Sequence, residues 1–258
     1  MEKARIMTEI NSNDADVTLC ITSCGRTELL QRTLNSFLPS HRDSFKRMLV
    51  IDDANSTQVK NWLEETHPDV EVILNHPQLG QMKSIDKLYD MVETDFIYHG
   101  EDDWLFDGEN TIPSCMKVLE AEPNVSVVSV RKLSDLQERF QKNCIRKEVD
   151  GVRYALMPLD IHPEWLSFSF NPGLTRLSLW KRYGPYAKHV TEERISIAMK
   201  RDGLMVAFLD PGACHHIGDG QHVDDPAQPI RAKTFPQRMK RSVMKRVNRL
   251  RRRLGADV

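Results

Sequence analysis

The chain of 258 residues has few cysteines and none of the paired spacings that disulfide-rich or zinc-binding proteins show. The five cysteines are odd in number and scattered, with no Cys-x-x-Cys pair: Cys20, Cys24, Cys115, Cys144 and Cys214. This pattern argues against a disulfide framework and is typical of reduced cytosolic thiols.

Long hydrophobic runs are also missing. No apolar stretch approaches the roughly 20 residues that span a bilayer. Residues 1–16 are polar and mixed in charge, without the apolar core of a secretory signal. We therefore expect a cytoplasmic protein whose first 16 residues form a polar segment.

The net charge of −1 hides a strong asymmetry along the chain. Residues 231–258 contain 11 Lys and Arg and one acid, Asp257, so this tail carries +10. The remainder has 25 basic and 36 acidic residues and carries −11. In the tail, apolar residues recur at steps of three and four, as in a basic amphipathic helix: Met239, Val243, Val247, Leu250 and Leu254.

Strands alternate with helices along most of the sequence. We predict strands at 17–23, 47–51, 71–74, 95–99, 125–130 and 204–209, and helices after Thr27, a candidate N-cap, and at 57–66, 80–92, 109–121, 176–183 and 192–201. Residues 131–160 show no clear period. The alternation predicts an α/β fold with a mostly parallel sheet flanked by helices, in which ligands bind at the carboxyl ends of the strands.

The stretch from Phe96 to Asp103 combines a strand and a cluster of acids. An aromatic-rich run ends in three consecutive carboxylates, Glu101, Asp102 and Asp103. Like charges this close raise one another's pKa, and a divalent cation with hard oxygen ligands, Mg²⁺ or Mn²⁺, would compensate them. The alternative is a solvated acidic turn after a strand.

The order of the polar motifs carries a family resemblance. The first strand is followed by an Asp52-Asp53 turn, a helix from Gly80, the Glu101–Asp103 acids, Glu192-Glu193 and His215-His216. Over residues 17–217 this order resembles the family 2 glycosyltransferases, which have the Rossmann-like GT-A fold of nucleotide-diphospho-sugar transferases. The resemblance implies a GT-A domain at 17–230 ahead of the basic amphipathic tail of 231–258. It also implies metal-dependent, inverting transfer of a sugar from a nucleotide-diphosphate donor to a hydroxyl of a glycan or lipid-linked acceptor.

The donor site that the resemblance implies lies at the first strand end and the two acidic turns. Its nucleotide contacts would be Thr22, Cys24, Arg26 and Asp53, with Asp52 as neighbour and Asp102 near the ribose or metal. From the residues themselves we add Lys83 as a candidate diphosphate contact and Trp104 as a candidate pocket wall. The alternatives are turn formation and helix capping at 52–53, and a solvated Lys83.

A Mn²⁺ or Mg²⁺ ion is also implied, bridging the two donor phosphates. Asp103 would bind it directly, Glu101 stands where the family has the first acid of its Asp-x-Asp element, and His216 fits a final ligand. A rival zinc site made of Cys214, His215, His216 and His222 lacks the expected paired spacing.

The catalytic base is the last implied residue. Family members carry an acid eleven residues before a glycine that precedes a strand, and Gly203 points to Glu192, with Glu193 as second candidate. Such a carboxylate takes the proton of the acceptor hydroxyl. The alternative is a pair of acids favoured by the dipole at a helix start.

The partners follow from the same resemblance. The donor would be a UDP-, GDP- or dTDP-sugar, and the acceptor side would be built from Trp165, Phe168, Phe170 and the turn 171–173, unless these aromatic residues are core. A lipid-linked acceptor suits a tail that lies on the anionic inner face of the cell membrane. We favour membrane binding by the tail over two alternatives: that the tail binds nucleic acid, or that it packs on the acidic body of the protein.

Two other functions remain open at this point. One is a nucleotidyltransferase of similar fold, although the short segment 24–26 lacks the Gly-rich basic loop of those enzymes. The other is a non-catalytic module that binds a membrane or nucleic acid through its tail.

Overall fold

A computed structural model of the chain describes residues 16–221, 223–227 and the single positions 239 and 247. The chain divides into two compact units, 1–222 and 223–258. In the second unit, Met239 and Val247 are helical and exposed. The rest of the predicted amphipathic helix lies outside the described residues. Among the residues described, none of the helices has the length and apolar character needed to cross a membrane.

The first unit alternates strands and helices through most of its length. The strands are β1 Val17–Ser23, β2 Arg47–Asp52, β3 Val70–Leu74, β4 Phe96–Glu101, β5 Trp104–Phe106, β6 Val125–Ser129, β7 Ile145–Val149, β8 Val152–Leu156, β9 Gly173–Arg176, β10 Met205–Leu209 and β11 Cys214–His216. The helices are α1 Thr27–His41, α2 Thr57–Thr66, α3 Gln81–Asp90, α4 Ile112–Ala121, α5 Glu138–Asn143, α6 Leu177–Tyr183 and α7 Glu192–Arg201. The predicted elements are therefore present, with ends shifted by up to three residues.

Nine strands form one sheet in the order β3-β2-β1-β4-β9-β6-β10-β8-β7. Neighbouring pairs β3/β2, β2/β1, β1/β4 and β6/β10 are parallel, whereas β9 runs antiparallel to both β4 and β6. The predicted mostly parallel sheet flanked by helices is confirmed. Strands β5 and β11 form a separate antiparallel pair.

The sheet is covered on both faces, which explains why its central strands are largely apolar and buried without alternation. All seven residues of β1 are buried. Leu19 and Ile21 face one core with Leu30 and Leu34 of α1, while Cys20 faces a second core with Ile85 of α3. A strand buried on both faces reads as a continuous apolar run rather than an alternating one.

The antiparallel strand β9 was not predicted from the sequence. It is four residues long and follows directly after the predicted turn 171–173, so no period was visible. Its place in the sheet depends on Gly173, which pairs with His99 and Ser129. A Cβ on Gly173 would lie 3.0 Å from the Ser129 Cα and closer still to the Val128 carbonyl oxygen, so the strand requires a glycine there.

The hairpin β7–β8 occupies the part of the sequence where no period was visible. Asp150 and Gly151 form its two-residue turn with φ values of 47° and 78°, which matches the Asp-Gly signal of tight hairpins. Strand β7 is exposed and charged along most of its length, as expected of an edge strand. The charges concealed the strand, although the Asp-Gly pair marks it.

The prediction that Thr27 caps the first helix is wrong. Thr27 is the first residue of α1, and Arg26 holds the N-cap position without a capping hydrogen bond from its side chain. The Arg26 side chain pairs instead with Asp102 and Asp103. A guanidinium has no hydrogen-bond acceptor, so α1 begins without a side-chain cap and Arg26 serves as an ion-pair partner.

We expect Gly173→Ala to destabilise the protein by roughly 1–3 kcal/mol, the usual cost of forcing extra volume into a packed interior. The added methyl group would push β9 away from the β6 backbone. Chemical denaturation followed by circular dichroism measures the change. A free energy of unfolding within about 0.5 kcal/mol of wild type would contradict the close approach described at this position.

Candidate active site

Three loops meet at one edge of the sheet because β2, β1 and β4 are adjacent and parallel. The register pairs Ser23 with Asp52 and Thr22 with Glu101, so the three strands end side by side. The segments that follow them, 24–26, 53–56 and 102–103, therefore lie at the same edge. This is the position at which open α/β sheets bind ligands.

Arg26 joins the two aspartates that follow β4. Its guanidinium pairs with the Asp102 carboxylate through Nη2, donates from Nε to Asp102 Oδ2 at 3.1 Å, and places Nη1 2.8 Å from Asp103 Oδ2. Ser23 Oγ also donates to Asp102 Oδ2 at 2.9 Å. Asp102 is fully buried, and this burial raises its pKa to about 6 although Arg26 opposes the shift.

Asp103 also faces a histidine from far along the chain. His216 Nε2 lies 3.3 Å from Asp103 Oδ2. The pairing of β5 with β11 sets His216 opposite Trp104, and Ile217 N donates to the Asp103 carbonyl at 2.8 Å. Gly218 is part of the same contact, since a Cβ there would lie 2.7 Å from the Asp103 Cβ.

The other oxygen of Asp103 has no partner. Asp103 is buried, and its Oδ1 accepts no hydrogen bond from any described residue. Because a buried oxygen without a partner carries a desolvation cost, this atom marks a place where a ligand would be stabilised.

The residues present fit a divalent cation brought together with a diphosphate. Among the described residues there is no cluster of three or more His, Cys, Asp or Glu arranged to hold a metal. Magnesium-type cations, however, are held by one or two carboxylates together with substrate phosphates and water. Asp103 Oδ1 and His216 are suitable protein donors, and the remaining positions belong to the ligand.

The rival zinc site receives no support from the described residues. Cys214 is buried, and burial raises the pKa of its thiol above the usual range. His216 turns towards Asp103 and Asp219, and His222 lies outside the described residues.

Glu101 and Glu192 lie close enough for each charge to affect the other. Glu101 is half-buried and accepts from Gln81 Nε2 at 2.7 Å. Burial raises its pKa to about 8, and the charges of Asp103 and Glu192 add to the shift. In this structure Glu101 is therefore turned to Gln81 and does not join Asp103 and His216.

Glu192 opens α7, whose N-cap Thr191 accepts from Arg194 N. Glu192 Oε1 accepts from the Phe170 amide at 3.4 Å, and burial raises the pKa of this carboxyl to about 7. A carboxylate with a pKa near neutrality is suited to accept a proton at physiological pH. Glu193 follows in the same turn and is also half-buried.

The two aspartates after β2 are occupied by internal hydrogen bonds. Asp52 is fully buried and accepts from the amides of Gly25, Ala54 and Ser56 at 2.6, 3.1 and 2.9 Å. The structure therefore gives Asp52 the turn-forming role that the alternative interpretation describes, and leaves its carboxylate no open face.

Asp53 fixes the neighbouring loop. It accepts from the amides of Leu79 and Gly80, each at 2.8 Å, and from the side chains of Asn75 and Ser84 at 2.9 and 3.0 Å. Asn75 and Ser84 are buried, and sequence analysis missed both because neither belongs to a recognisable motif. The network determines where α3 begins at the edge of the sheet.

The remaining predicted contacts differ in exposure. Thr22 is nearly buried at the end of β1, and Cys24 is half-buried with its Sγ 3.4 Å from Gln78 Nε2. Burial raises the Cys24 pKa to about 11, with nearby aspartates adding to the shift. Lys83 is exposed on α3.

Trp104 does not offer an open stacking face. Its side chain is 2% exposed and belongs to the core that α1 covers. The indole packs edge-on against His216, with centroids 5.4 Å apart. The expectation of a pocket wall here fails because β5 turns back over α1 directly after the acids.

A cavity of about 410 Å³ lies beside Glu192. Three of the predicted acceptor-side residues, Trp165, Phe168 and Asn171, line it. Phe170 packs in the core against His99 and Tyr186. The cavity falls within the range of roughly 300–1,000 Å³ typical of small-molecule sites.

Comparison with known proteins identifies one family. The model described as "Glycosyl transferase family 2" matches residues 18–179 of the chain. No curated protein gives a significant match.

Several solved structures are similar to this chain. Their sequence identities to it are low, so the similarity supports the fold alone. The mannosyltransferase PcManGT from Pyrobaculum calidifontis in complex with GDP-Man and Mn²⁺ has a TM-score of 0.51 and 16% identity, over 74% of this chain and 53% of that one. TarS 1–349 of S. aureus has a TM-score of 0.56 and 13% identity, over 79% of this chain and 60% of that one. GalNAc-T7 with UDP, GalNAc and Mn²⁺ has a TM-score of 0.58 and 11% identity, over 86% of this chain and 46% of that one. The chain thus spans less than two thirds of each.

We expect Asp52→Ala to lower the free energy of unfolding by at least about 2 kcal/mol, since three backbone amides lose their acceptor. Denaturant titration measures the change. Asp90→Ala, at the exposed end of α3, serves as the control and should stay within about 0.5 kcal/mol of wild type. Normal stability with lost nucleotide binding in Asp52→Ala would show that the side chain serves a ligand instead.

Proposed function

The chain belongs to glycosyl transferase family 2, whose model matches more than half of it, and we propose that it transfers a sugar from a nucleoside diphosphate donor to an acceptor hydroxyl with a divalent cation at the Asp103 site. The observation that carries the proposal lies at the carboxyl edge of the sheet, where Asp103 Oδ1 has no partner among the described residues and Asp103 Oδ2 lies 3.3 Å from His216 Nε2. The nucleotide would be uridine, guanosine or thymidine diphosphate.

Asp103 and His216 would hold Mn²⁺ or Mg²⁺ in this proposal. The bound ion would neutralise charge on the two phosphates as the nucleoside diphosphate leaves. Mn²⁺ accompanies the nucleotide or nucleotide-sugar in two of the similar structures, PcManGT and GalNAc-T7. Asp53 would serve the nucleotide by fixing the loop at Leu79 and Gly80, since its own oxygens are engaged. Thr22, Cys24 and Arg26 would line the nucleotide side, and Lys83 would approach from α3.

Arg26 has a second task in this proposal. Its guanidinium lies between the Asp102 and Asp103 carboxylates, so one positive charge compensates only part of their two negative charges. A cation at Asp103 would repel the guanidinium, which would keep Asp102 and turn Nη1 towards the donor phosphates. Arginine suits this change of partner because its planar fork binds carboxylate and phosphate equally well.

Glu192 would act as the catalytic base. Its carboxylate takes the proton from the acceptor hydroxyl while the hydroxyl oxygen forms a bond to the anomeric carbon of the donor. The bond from that carbon to the diphosphate oxygen breaks, and the nucleoside diphosphate leaves with the electron pair. Attack from the face opposite the leaving group inverts the anomeric centre. Glu193 is the second candidate for this role.

The acceptor, in this proposal, is a glycan or lipid-linked glycan seated in the cavity beside Glu192. A membrane contact through residues 231–258 and a cytoplasmic location remain predictions from the sequence.

We expect Asp103→Ala to abolish turnover and to weaken Mn²⁺-dependent binding of nucleoside diphosphates at least about tenfold, because the first protein ligand is lost. Calorimetry with UDP, GDP and dTDP, with and without Mn²⁺, measures the binding. Asp43→Ala, at an exposed position, should bind as wild type does. Full metal-dependent binding by Asp103→Ala would mean that the site is wrongly assigned, and none by wild type would favour a non-catalytic module.

We expect Glu192→Gln to bind donor normally and to lower turnover by roughly 10²–10⁴-fold, the usual contribution of a positioned base. In wild type, kcat/KM should rise from about pH 6 to 8, because the Glu192 carboxyl, with a pKa raised to about 7 by burial, must lose its proton to act. Glu193→Gln is the matched control. A full loss in Glu193→Gln with little change in Glu192→Gln would move the base by one residue.

Glu101→Gln should leave the rise of kcat/KM with pH near its wild-type position. Burial raises the Glu101 pKa to about 8, above the value of about 7 for Glu192, so Glu101 is neutral while Glu192 loses its proton and glutamine removes no charge. The pH profile of the variant measures this, and a rise displaced to lower pH would show that Glu101 is ionised while the base titrates.

A further inference from the structure

The cavity beside Glu192 is lined by two arginines that form no ion pair with any carboxylate in the described part of the chain. Arg131 and Arg139 both line it. We infer that this cavity binds an acceptor carrying a phosphate or carboxylate group close to the hydroxyl that receives the sugar. The inference rests on the proposed function, which it deepens by naming the acceptor's chemistry.

Arg131 follows β6. Neighbouring groups hold its guanidinium in place, but no carboxylate of the described residues neutralises its charge. Its guanidinium lies 5.5 Å from the centroid of the Trp104 ring, and Nη2 is 3.4 Å from the Asp135 carbonyl oxygen. Its Nε is buried and has no hydrogen-bond partner among the described residues. A cation fixed by an aromatic face, with a buried donor to spare, is prepared for an anion.

Arg139 approaches from α5. Its guanidinium lies 4.5 Å from the centroid of the Phe140 ring, and Phe140 also lines the cavity. Five other described arginines pair with carboxylates, among them Arg47 with Glu71 and Arg146 with Asp210, whereas those without an ion pair, such as Arg153, do not line this cavity. None of the ion pairs among the described residues includes Arg131 or Arg139.

The arginines share their cavity with the proposed base. Glu192 lines the same cavity. On the other side, Arg131 stacks on Trp104, which packs against His216, which faces Asp103. The cavity is therefore lined by the proposed base and is linked through Arg131, Trp104 and His216 to the proposed metal-binding residue Asp103.

A neutral acceptor would offer no counter-charge to either guanidinium, and the buried Arg131 Nε would keep no acceptor among the described residues. An arginine fork binds phosphate or carboxylate through two parallel hydrogen bonds, which are roughly twice as strong as neutral ones. Trp165 and Gln137, also at the cavity wall, suit the sugar ring of the same acceptor through stacking and hydrogen bonding. An anionic saccharide satisfies these groups together.

The test measures acceptor binding directly on the full chain, with Mn²⁺ and a nucleoside diphosphate saturating the donor site. The probes are methyl glucoside, glucose 6-phosphate, glucuronic acid and a polyprenyl phosphate glucose in detergent micelles. We expect at least one anionic probe to bind about tenfold or more tightly than methyl glucoside, and the preference to weaken with added salt. The probe that binds identifies the source as a soluble phosphate, a carboxylate or a lipid phosphate.

The variants Arg131→Gln, Arg139→Gln and their combination should remove this preference. Arg153→Gln, an exposed arginine of β8 outside the cavity, is the matched control and should keep it. Arg139 is exposed, so Arg139→Gln should fold normally, and a loss of preference in this variant cannot be attributed to misfolding. Arg131→Lys retains the charge without the fork and should show an intermediate loss.

Two results would overturn the inference: equal binding of methyl glucoside and every anionic probe, or an anion preference that survives in the double variant. Failure of the proposed function has a different signature. In that case, Mn²⁺-dependent nucleotide binding is missing in wild type, whereas anion binding that depends on the two arginines persists when measured without nucleotide.

Discussion

The repulsion among the carboxylates that end β4 is the constraint on which the candidate site depends. Asp102 and Asp103 are buried, and Glu101 adjoins them at the end of an apolar strand. In the structure Arg26, at the start of α1, pairs with Asp102 and Asp103 at once. One positive charge thus faces two carboxylates, and one oxygen of Asp103 has no partner among the described residues. This arrangement suits a site that changes partner when a metal and a diphosphate arrive together.

The fold brings distant parts of the chain to this edge by different means. Parallel pairing of β1, β2 and β4 aligns three loops, and the hydrogen bonds of Asp52 and Asp53 fix two of them. The small β5–β11 pair positions His216, and the start of α7 positions Glu192. Rigid strands and satisfied turns thus hold the site residues, which favours a preformed geometry over one assembled from mobile loops.

Much of this organisation was predictable because it follows from periodicity and order. The apolar runs of the central strands predict a covered parallel sheet, and such a sheet places its strand ends together. The pairing of Arg26 with Asp102 was not predictable, since a salt bridge between distant residues leaves no local signal. Nor was the burial of Trp104, because three-residue β5 has no visible period. The four hydrogen bonds of Asp53 likewise depend on tertiary contacts.

The most direct test of this account is the position of manganese in a crystal grown with Mn²⁺ and a nucleoside diphosphate. Anomalous scattering locates the ion without reference to activity. We predict a peak at bonding distance from Asp103 Oδ1, bridged to the diphosphate, with Arg26 Nη1 moved from Asp103 to a phosphate oxygen. A nucleotide bound elsewhere, or no manganese peak at this edge while Arg26 still joins both aspartates, would contradict the account.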